Sequence, residues 1–335
     1  MTWLLLAVLT AGAFAQPEQR QVGALDFFGY TGIDLAPIRA ALPVREGDVV
    51  PGTRSPEDWK ASIRASVLEA IGREPTDVSV VCCDSGNYLI YIGLPGASSK
   101  PVTYNPTPIG DARFSPDVIE LHRALDRALM AAIASGNARE DDSRGFALGE
   151  DPALRATQMA IREDALKNEA VILRVLESSS DKEQRAMAAT ALGYAAASRR
   201  QVTGLVRASL DPDEGVRNNA VRALGVLVGA RPELARDVPA PSLFQLLASP
   251  TWSDHNKGAL LLEALTRSRD PELLRQLRAA ALDNLLEMAR WRSNGHAGHA
   301  RLLLGRMAGV EEGRLMKLLA NGDVEAIISA LPPER

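Results

Sequence analysis

The sequence predicts a mainly α protein: an α-solenoid of about four helical hairpins, preceded by a small α+β domain of order β-α-α-β-β. Three observations carry this. The stretch Asp211 to Gly225, DPDEGVRNNAVRALG, echoes Asp181 to Gly193, DKEQRAMAATALG, at an offset of thirty-two residues. Helix starts written Ser-Pro or Asp-Pro recur at Ser115-Pro116, Asp151-Pro152, Asp211-Pro212 and Asp270-Pro271. Each offers a capping oxygen, then the residue whose missing N–H costs nothing in a first turn. Segments with strand character stop before Pro95.

The chain has 335 residues, of which 46% are hydrophobic, enough to build two packed cores. Its 38 basic and 42 acidic side chains give a formal charge of -4, with no long run of one sign. Strong non-specific nucleic-acid binding needs a basic excess or stripe, so a nucleic-acid partner is not expected.

Residues 1–15, MTWLLLAVLTAGAFA, form an apolar run closing on Ala13-Phe14-Ala15, the small-residue pattern of a signal peptidase site. Cleavage after Ala15 is expected, leaving Gln16 as the mature N-terminus and the protein periplasmic or secreted. The n-region carries only the Met1 amino group, and the alternative is an uncleaved anchor. The run is shorter than the ~20 residues that span a bilayer, and no other stretch is apolar enough to span one. Export bears on Cys82 and Cys83, the two cysteines of the chain. Neighbours in a strand point to opposite faces, which favours one buried and one partly exposed thiol over a vicinal or intermolecular disulfide.

The small domain is read over residues 23–95. ALDFFGY is aromatic enough for a strand. Asp34 caps a short helix with Leu35, Ile38 and Leu42 at helical spacing, and REGD ends it. A second helix starts at Ser55-Pro56, with Asp58 in its first turn and Gly72 as terminator. Its Trp59, Ile63, Val67 and Ile71 make one stripe, which must be buried. DVSVVCC and YLIYIGL are then two strands around the turn Asp84-Ser85-Gly86-Asn87. This order, with Phe28-Gly29 ending the first strand and Gly47-Asp48 after the first helix, resembles the POTRA-type modules of bacterial envelope proteins over about seventy residues. The resemblance implies binding by strand addition at an exposed sheet edge. No barrel follows, so a membrane-inserting role is not carried over.

Residues 96–114 read as a Pro-rich linker, and residues 115–335 as the helical repeat domain. Between the first two helix starts, GNAREDDSRG reads as an acidic surface loop. At the thirty-two-residue offset, Asp181 falls on Asp213, Arg185 on Arg217, Ala188 on Ala220, Leu192 on Leu224 and Gly193 on Gly225. Each Asp stands four residues before its Arg, which predicts a solvated ion pair on the helix surface worth a few tenths of a kcal/mol. AVILRVLESS and QVTGLVRASL precede the two copies, so the unit is a helical hairpin. Looser copies pair SLFQLLAS with Asp254 to Thr266, and LDNLLEMARW with HAGHARLLLG.

A helical wheel places Val216, Ala220, Ala223, Leu224 and Leu227 on a buried side, with Asn218, Arg222 and Gly225 opposite. A glycine that costs ~1 kcal/mol inside a helix points to close backbone contact. One hairpin cannot bury its apolar face alone, and stacking does it. FSPDVIELHRALDRALMAAIASG and GRLMKLLANGDVEAIISALP would cap the two ends. The residues DPDEGVRNNAVRALG, with Val-Arg after the turn and the Ala-Leu-Gly ending, resemble HEAT repeats of the short variety also found in phycobilin-lyase-like proteins. The likeness is strongest over Asp181 to Val228, extends to Gly309, and covers the scaffold only.

Candidates for chemistry are few. His296 and His299 lie at i, i+3 on one helix face and are the alternative metal pair, with Glu287 as the one available helper. HEAT-like metal hydroxylases carry His-Glu pairs in several repeats; this chain has four histidines in all. Ser253-Asp254-His255 holds the three triad residue types in succession, and sequence neighbours cannot form the hydrogen-bonded line that catalysis needs. No phosphate-cradling or nucleophile-elbow motif is present, and no cofactor is expected. The reading is a non-enzymatic, exported envelope protein whose scaffold binds another protein, with Asn218, Arg222 and Glu263 on its free face. The rivals are a metal-binding or enzymatic protein using His296 and His299, and an accessory factor in envelope protein assembly or secretion.

Overall fold

The computed structural model describes residues 20–49, 56–84 and 86–333. The expected signal peptide, the cap Ser55, the turn residue Ser85 and the Cys82 and Cys83 side chains lie outside what is described.

The first part runs β1 (Val22–Phe28), α1 (Leu35–Ala41), α2 (Pro56–Ile71), β2 (Asp77–Asp84) and β3 (Asn87–Gly93). Asp34 caps α1 by accepting from the Ala36 N–H. β3 is central, parallel to β1 and antiparallel to β2. Its side chains alternate between two cores, as a strand's geometry requires. Ile90 and Ile92 join Leu25 and Phe27 of β1 and Ile38, Trp59, Ile63 and Val67 of the helices. Leu89 and Tyr91 join Ala24 and Phe28 in the core of the helical part. The sheet is therefore covered on both faces, by its own helices and by the solenoid.

The helical part comprises α3 (Pro116–Ala134), the short ladder of β4 (Glu140–Asp141) and β5 (Leu148–Gly149), α4 (Pro152–Ser178), α5 (Lys182–Gly193), α6 (Arg199–Ala208) and α7 (Glu214–Ala230). It continues with α8 (Ala240–Leu243), α9 (Trp252–Leu265), α10 (Pro271–Ala289), α11 (Asn294–Met307), α12 (Glu312–Ala320) and α13 (Val324–Ser329). The hairpins are α4 with α5, α6 with α7, residues 240–248 with α9, and α10 with α11; α5, α7, α9 and α11 pack side by side. In the third hairpin, prolines 232, 239 and 241 break the first helix into α8 and the 3-10 turns Pro232–Asp237 and Phe244–Ala248. α3 closes one end against α4, and α12 and α13 close the other against α11. No helix among the described residues is long and apolar enough to cross a membrane.

Val216, Ala220 and Leu224 are fully buried. The glycines mark where second helices touch: a Cβ on Gly193 would sit 2.8 Å from the Ala223 Cβ, and one on Gly225 would sit 3.2 Å from Leu260. Ala223 and Gly225 thus face opposite neighbours, and Gly225 is buried against α9, not exposed as the wheel placed it.

The predicted i, i+4 ion pairs are absent. Asp181 and Asp213 spend their carboxylates as N-caps, Asp181 accepting from Glu183 and Gln184 and Asp213 from Val216. The arginines turn inward. Arg185 Nε and Nη2 donate to both oxygens of Asp211 at 2.8 and 2.9 Å, and Arg217 Nε and Nη2 donate to those of Asp254 at 2.9 and 3.0 Å. Both pairs are buried, and each ties one hairpin to the next. Asp211 is consequently not the cap of α7, although Asp211-Pro212 has the spelling of a helix start.

A second periodicity lies in the turns. Arg185 Nη1 donates to the Ser179 carbonyl and Arg217 Nη1 to that of Asp211. His255 Nε2 lies 2.6 Å from the Ser249 carbonyl, so each contact reaches six residues back. The carbonyl just before each of these is taken by the Pro-rich linker, residues 96–114, which runs as a strap along the turns. Gly110 N–H donates to Ser178 O, Asn105 N–H to Leu210 O, and Lys100 N–H to Ala248 O, one rung every five residues. Lys100 and Asn105 each precede a proline, which holds them extended. The rungs satisfy carbonyls that helix ends otherwise leave unpaired. Tyr104 of the strap lies over the Arg217 guanidinium, 4.2 Å from ring centroid to Cζ.

Candidate interaction face

With the strap along the turns and the sheet against the last hairpins, the outward stripe of the second helices remains. It runs through Ala186 and Thr190 on α5, Asn218 and Arg222 on α7, Lys257, Leu260 and Glu263 on α9, and His299 and Leu302 on α11. All are half-buried, because stacked neighbours flank them on both sides.

Arg222 is not bare on this face. Its guanidinium pairs with Glu140 of β4, in the stretch read as an acidic surface loop. Burial alone would lower the Arg222 pKa; the negative charges beside it, Glu140 first, outweigh it and raise the value. Burial raises the Asp142 carboxyl in turn, against the pull of Arg222. Lys257 lies nearby, its ammonium lowered to about 8 by burial and by the Arg222 charge. Asn218 donates to the Asn219 side chain, whose own amide donates to the Ala186 carbonyl across the helix pair.

Glu263 likewise has internal partners. His299 Nδ1 lies 2.8 Å from its Oε2, and Arg306 Nη2 lies 3.9 Å from its Oε1. Burial pushes the Glu263 carboxyl up, but the His299 contact and the Arg306 charge bring it below its ordinary value. The three residues read as a free face are thus a set of oriented polar groups, held partly by contacts within the chain.

The two candidate metal ligands point to different partners. His296 Nδ1 lies 2.6 Å from the Tyr91 hydroxyl, in a ring cluster with Trp252 at 5.1 Å, while His299 engages Glu263. Glu287, the proposed helper, is committed elsewhere. Its carboxylate accepts from the N–H groups of Gly29, Tyr30 and Thr31 at 2.6, 3.1 and 2.9 Å, and from the Thr31 and Ser98 hydroxyls at 2.9 and 2.6 Å. This nest needs Gly29, whose φ of 68° lies in the left-handed region. Trp291 Nε1 donates to the Phe27 carbonyl beside it, and the Arg292 N–H donates to Asp26. Glu287 is a docking residue between sheet and solenoid. Among the described residues, no group of three or more His, Cys, Asp or Glu side chains is placed to hold a metal.

Ser253, Asp254 and His255 are buried structural residues. Ser253 donates to Glu214, Asp254 receives Arg217 and the Ser249 hydroxyl, and the His255 ring lies 4.7 Å from that of Phe28.

No protein family profile matches the chain, and no curated protein matches it. Among solved structures it is similar to an engineered protein at 17% identity, over 66% of this chain and 100% of that one, with a TM-score of 0.39. It is also similar to a designed armadillo repeat protein at 16% identity, over 58% of this chain and 92% of that one, with a TM-score of 0.37.

Proposed function

We propose that the protein is an exported scaffold of the bacterial envelope that binds another protein along the second-helix stripe of a short-HEAT-type solenoid. One observation carries the reading: the strap and the sheet occupy the turns and the final hairpins, while the stripe from Asn218 to His299 keeps polar groups at fixed spacing across α7, α9 and α11. A preformed surface of this kind binds without the ordering cost of a flexible one. A photo-crosslinking residue at Asn218 should capture the same protein in intact cells as one at Leu260, while one at the exposed Met159 on α4 should not. Equal capture from all three positions would refute the stripe. Export is tested separately: the mature protein should begin at Gln16, and recovery of an intact Met1 would contradict cleavage.

The sheet favours a second reading, the accessory role in envelope assembly that the POTRA likeness implies. β1 is covered at the start of its outer side, where Val22 N–H donates to Asp48 O and Gly47 N–H to Val22 O, which leaves β2 as the more open edge for strand addition. Proline substitutions scanned across residues 78–81 should then abolish capture, while Arg222→Ala should not. The reverse pattern supports the stripe.

A further inference from the structure

We infer that the strap between its Asn105 and Gly110 rungs is a self-association surface, and that the partner it fits is a second copy of this chain. Ile109 of each copy enters a cavity beside the strap of the other. The cavity has a volume of about 480 Å³ and is bordered by residues 105–109 of the strap. Its walls are Leu176 of α4, Gly204 and Ala208 of α6 and Asp211 of the turn, with the exposed Glu177 and Arg207 at its rim. Ile109 borders the cavity without filling it, and stands 95% exposed.

The strap's own repeat assigns a side chain to this place. Tyr104, just before the Asn105 rung, lies over the buried Arg217–Asp254 pair, its ring 4.2 Å from the guanidinium carbon. Ile109 holds the same position before the Gly110 rung, five residues on, where the buried pair is Arg185–Asp211. There the carboxylate of the pair lines a cavity, and the strap side chain stands in water. Its exposure is not slack. Asn105 holds the Leu210 and Arg207 carbonyls, Gly110 N–H donates to Ser178 O, and the Ser180 N–H donates to Gly110 O. Pro106 and Pro108 fix the backbone between, so Ile109 is presented at little entropic cost. A rigid apolar knob next to an apolar hole is complementary to a copy of itself, and a twofold arrangement fills both holes at once. Charge agrees with this occupant. Glu177 and Arg207 have no ion pair among the described residues, and the twofold sets each Arg207 against the partner's Glu177.

The contact lies along the turns and is independent of what binds the stripe. Its size places it at the weak end of specific interfaces, so a micromolar monomer–dimer equilibrium is expected. Sedimentation velocity on the full chain between about 5 and 200 μM reads it. Ile109→Asp, an exposed change that leaves the fold intact, should weaken association at least about tenfold, because each copy loses a buried apolar side chain. Arg207→Glu and Glu177→Arg should each weaken it, by setting like charges against each other across the twofold. The double variant carrying both reversals should associate as the unaltered chain does. A monomer throughout the range overturns the inference. So does a dimer unchanged by Ile109→Asp, or a double reversal that associates no better than the single ones.

Discussion

The turns at Arg217 and His255 occupy the same place in successive hairpins, and each side chain contacts the carbonyl six residues back. They differ in what lies beyond. Arg217 faces the next hairpin's Asp254 and is charged, its guanidinium held protonated by that carboxylate against the opposing effect of burial. His255 faces Phe28 of the docked sheet and is neutral, its pKa lowered to about 4 by burial. The shared requirement of the position is a donor for an orphan carbonyl. The charge is added only where the neighbour is another hairpin with a carboxylate to offer, and an imidazole suffices where the neighbour is an apolar sheet.

The comparison breaks most sharply at Arg217→Ala. This variant leaves the Asp254 carboxylate buried without its guanidinium, and should lose about 3 to 5 kcal/mol in a urea titration. His255→Ala removes a neutral group and leaves a cavity, and should lose less, about 2 to 3 kcal/mol. Equal losses would mean that the ion pair adds nothing to the turn contact. Gly110→Ala, whose Cβ would lie 2.6 Å from the Ser178 carbonyl, should loosen one strap rung at a cost of about 1 to 2 kcal/mol. Protease cleavage within residues 101–109 should speed up while helix content is unchanged.

The pH response is smaller per unit but separates the two turns cleanly. Burial lowers both His122 and His255 to about 4 from 6.5. Unfolded histidines take up protons first as pH falls. The stability these two residues give is therefore fully present above about 6.5 and is lost as pH drops toward 4, at about 1.4 kcal/mol per pH unit for each. His255→Gln should reduce the slope by one histidine's share. Arg217→Lys should leave the slope over this range as it was.

The hairpins, their number and their apolar seam were legible because a thirty-two-residue echo and a 3.6-residue period both report on which side chains face inward. The partners of Arg185 and Arg217 were not. Four-residue spacing fits a local ion pair as well as a residue that reaches across to the next hairpin, and only burial decides between them. The strap had a signal, Lys100-Pro101 and Asn105-Pro106 five residues apart, but proline also marks flexible linkers, and the carbonyls that fix the strap lie far away in sequence. The docking of the sheet was written into YLIYIGL, an apolar run with no polar alternation, as a strand covered on both faces must be. Glu287 and Gly29 lie 258 residues apart, and nothing local links them. The wheel set Asn218 and Arg222 opposite the apolar side and Glu263 was added as their rough equivalent in the next hairpin, while the Glu140 and His299 contacts depended on how distant segments fold back.

The most direct measurement is a double-mutant cycle of Arg217→Met and Asp254→Leu, read by urea unfolding. If the buried pair joins neighbouring hairpins, each single change is severe, and the double variant recovers about 2 kcal/mol or more of the summed loss. Losses that add to within about 0.5 kcal/mol would show that the two side chains act independently, and the coupling of hairpins through these residues would be wrong.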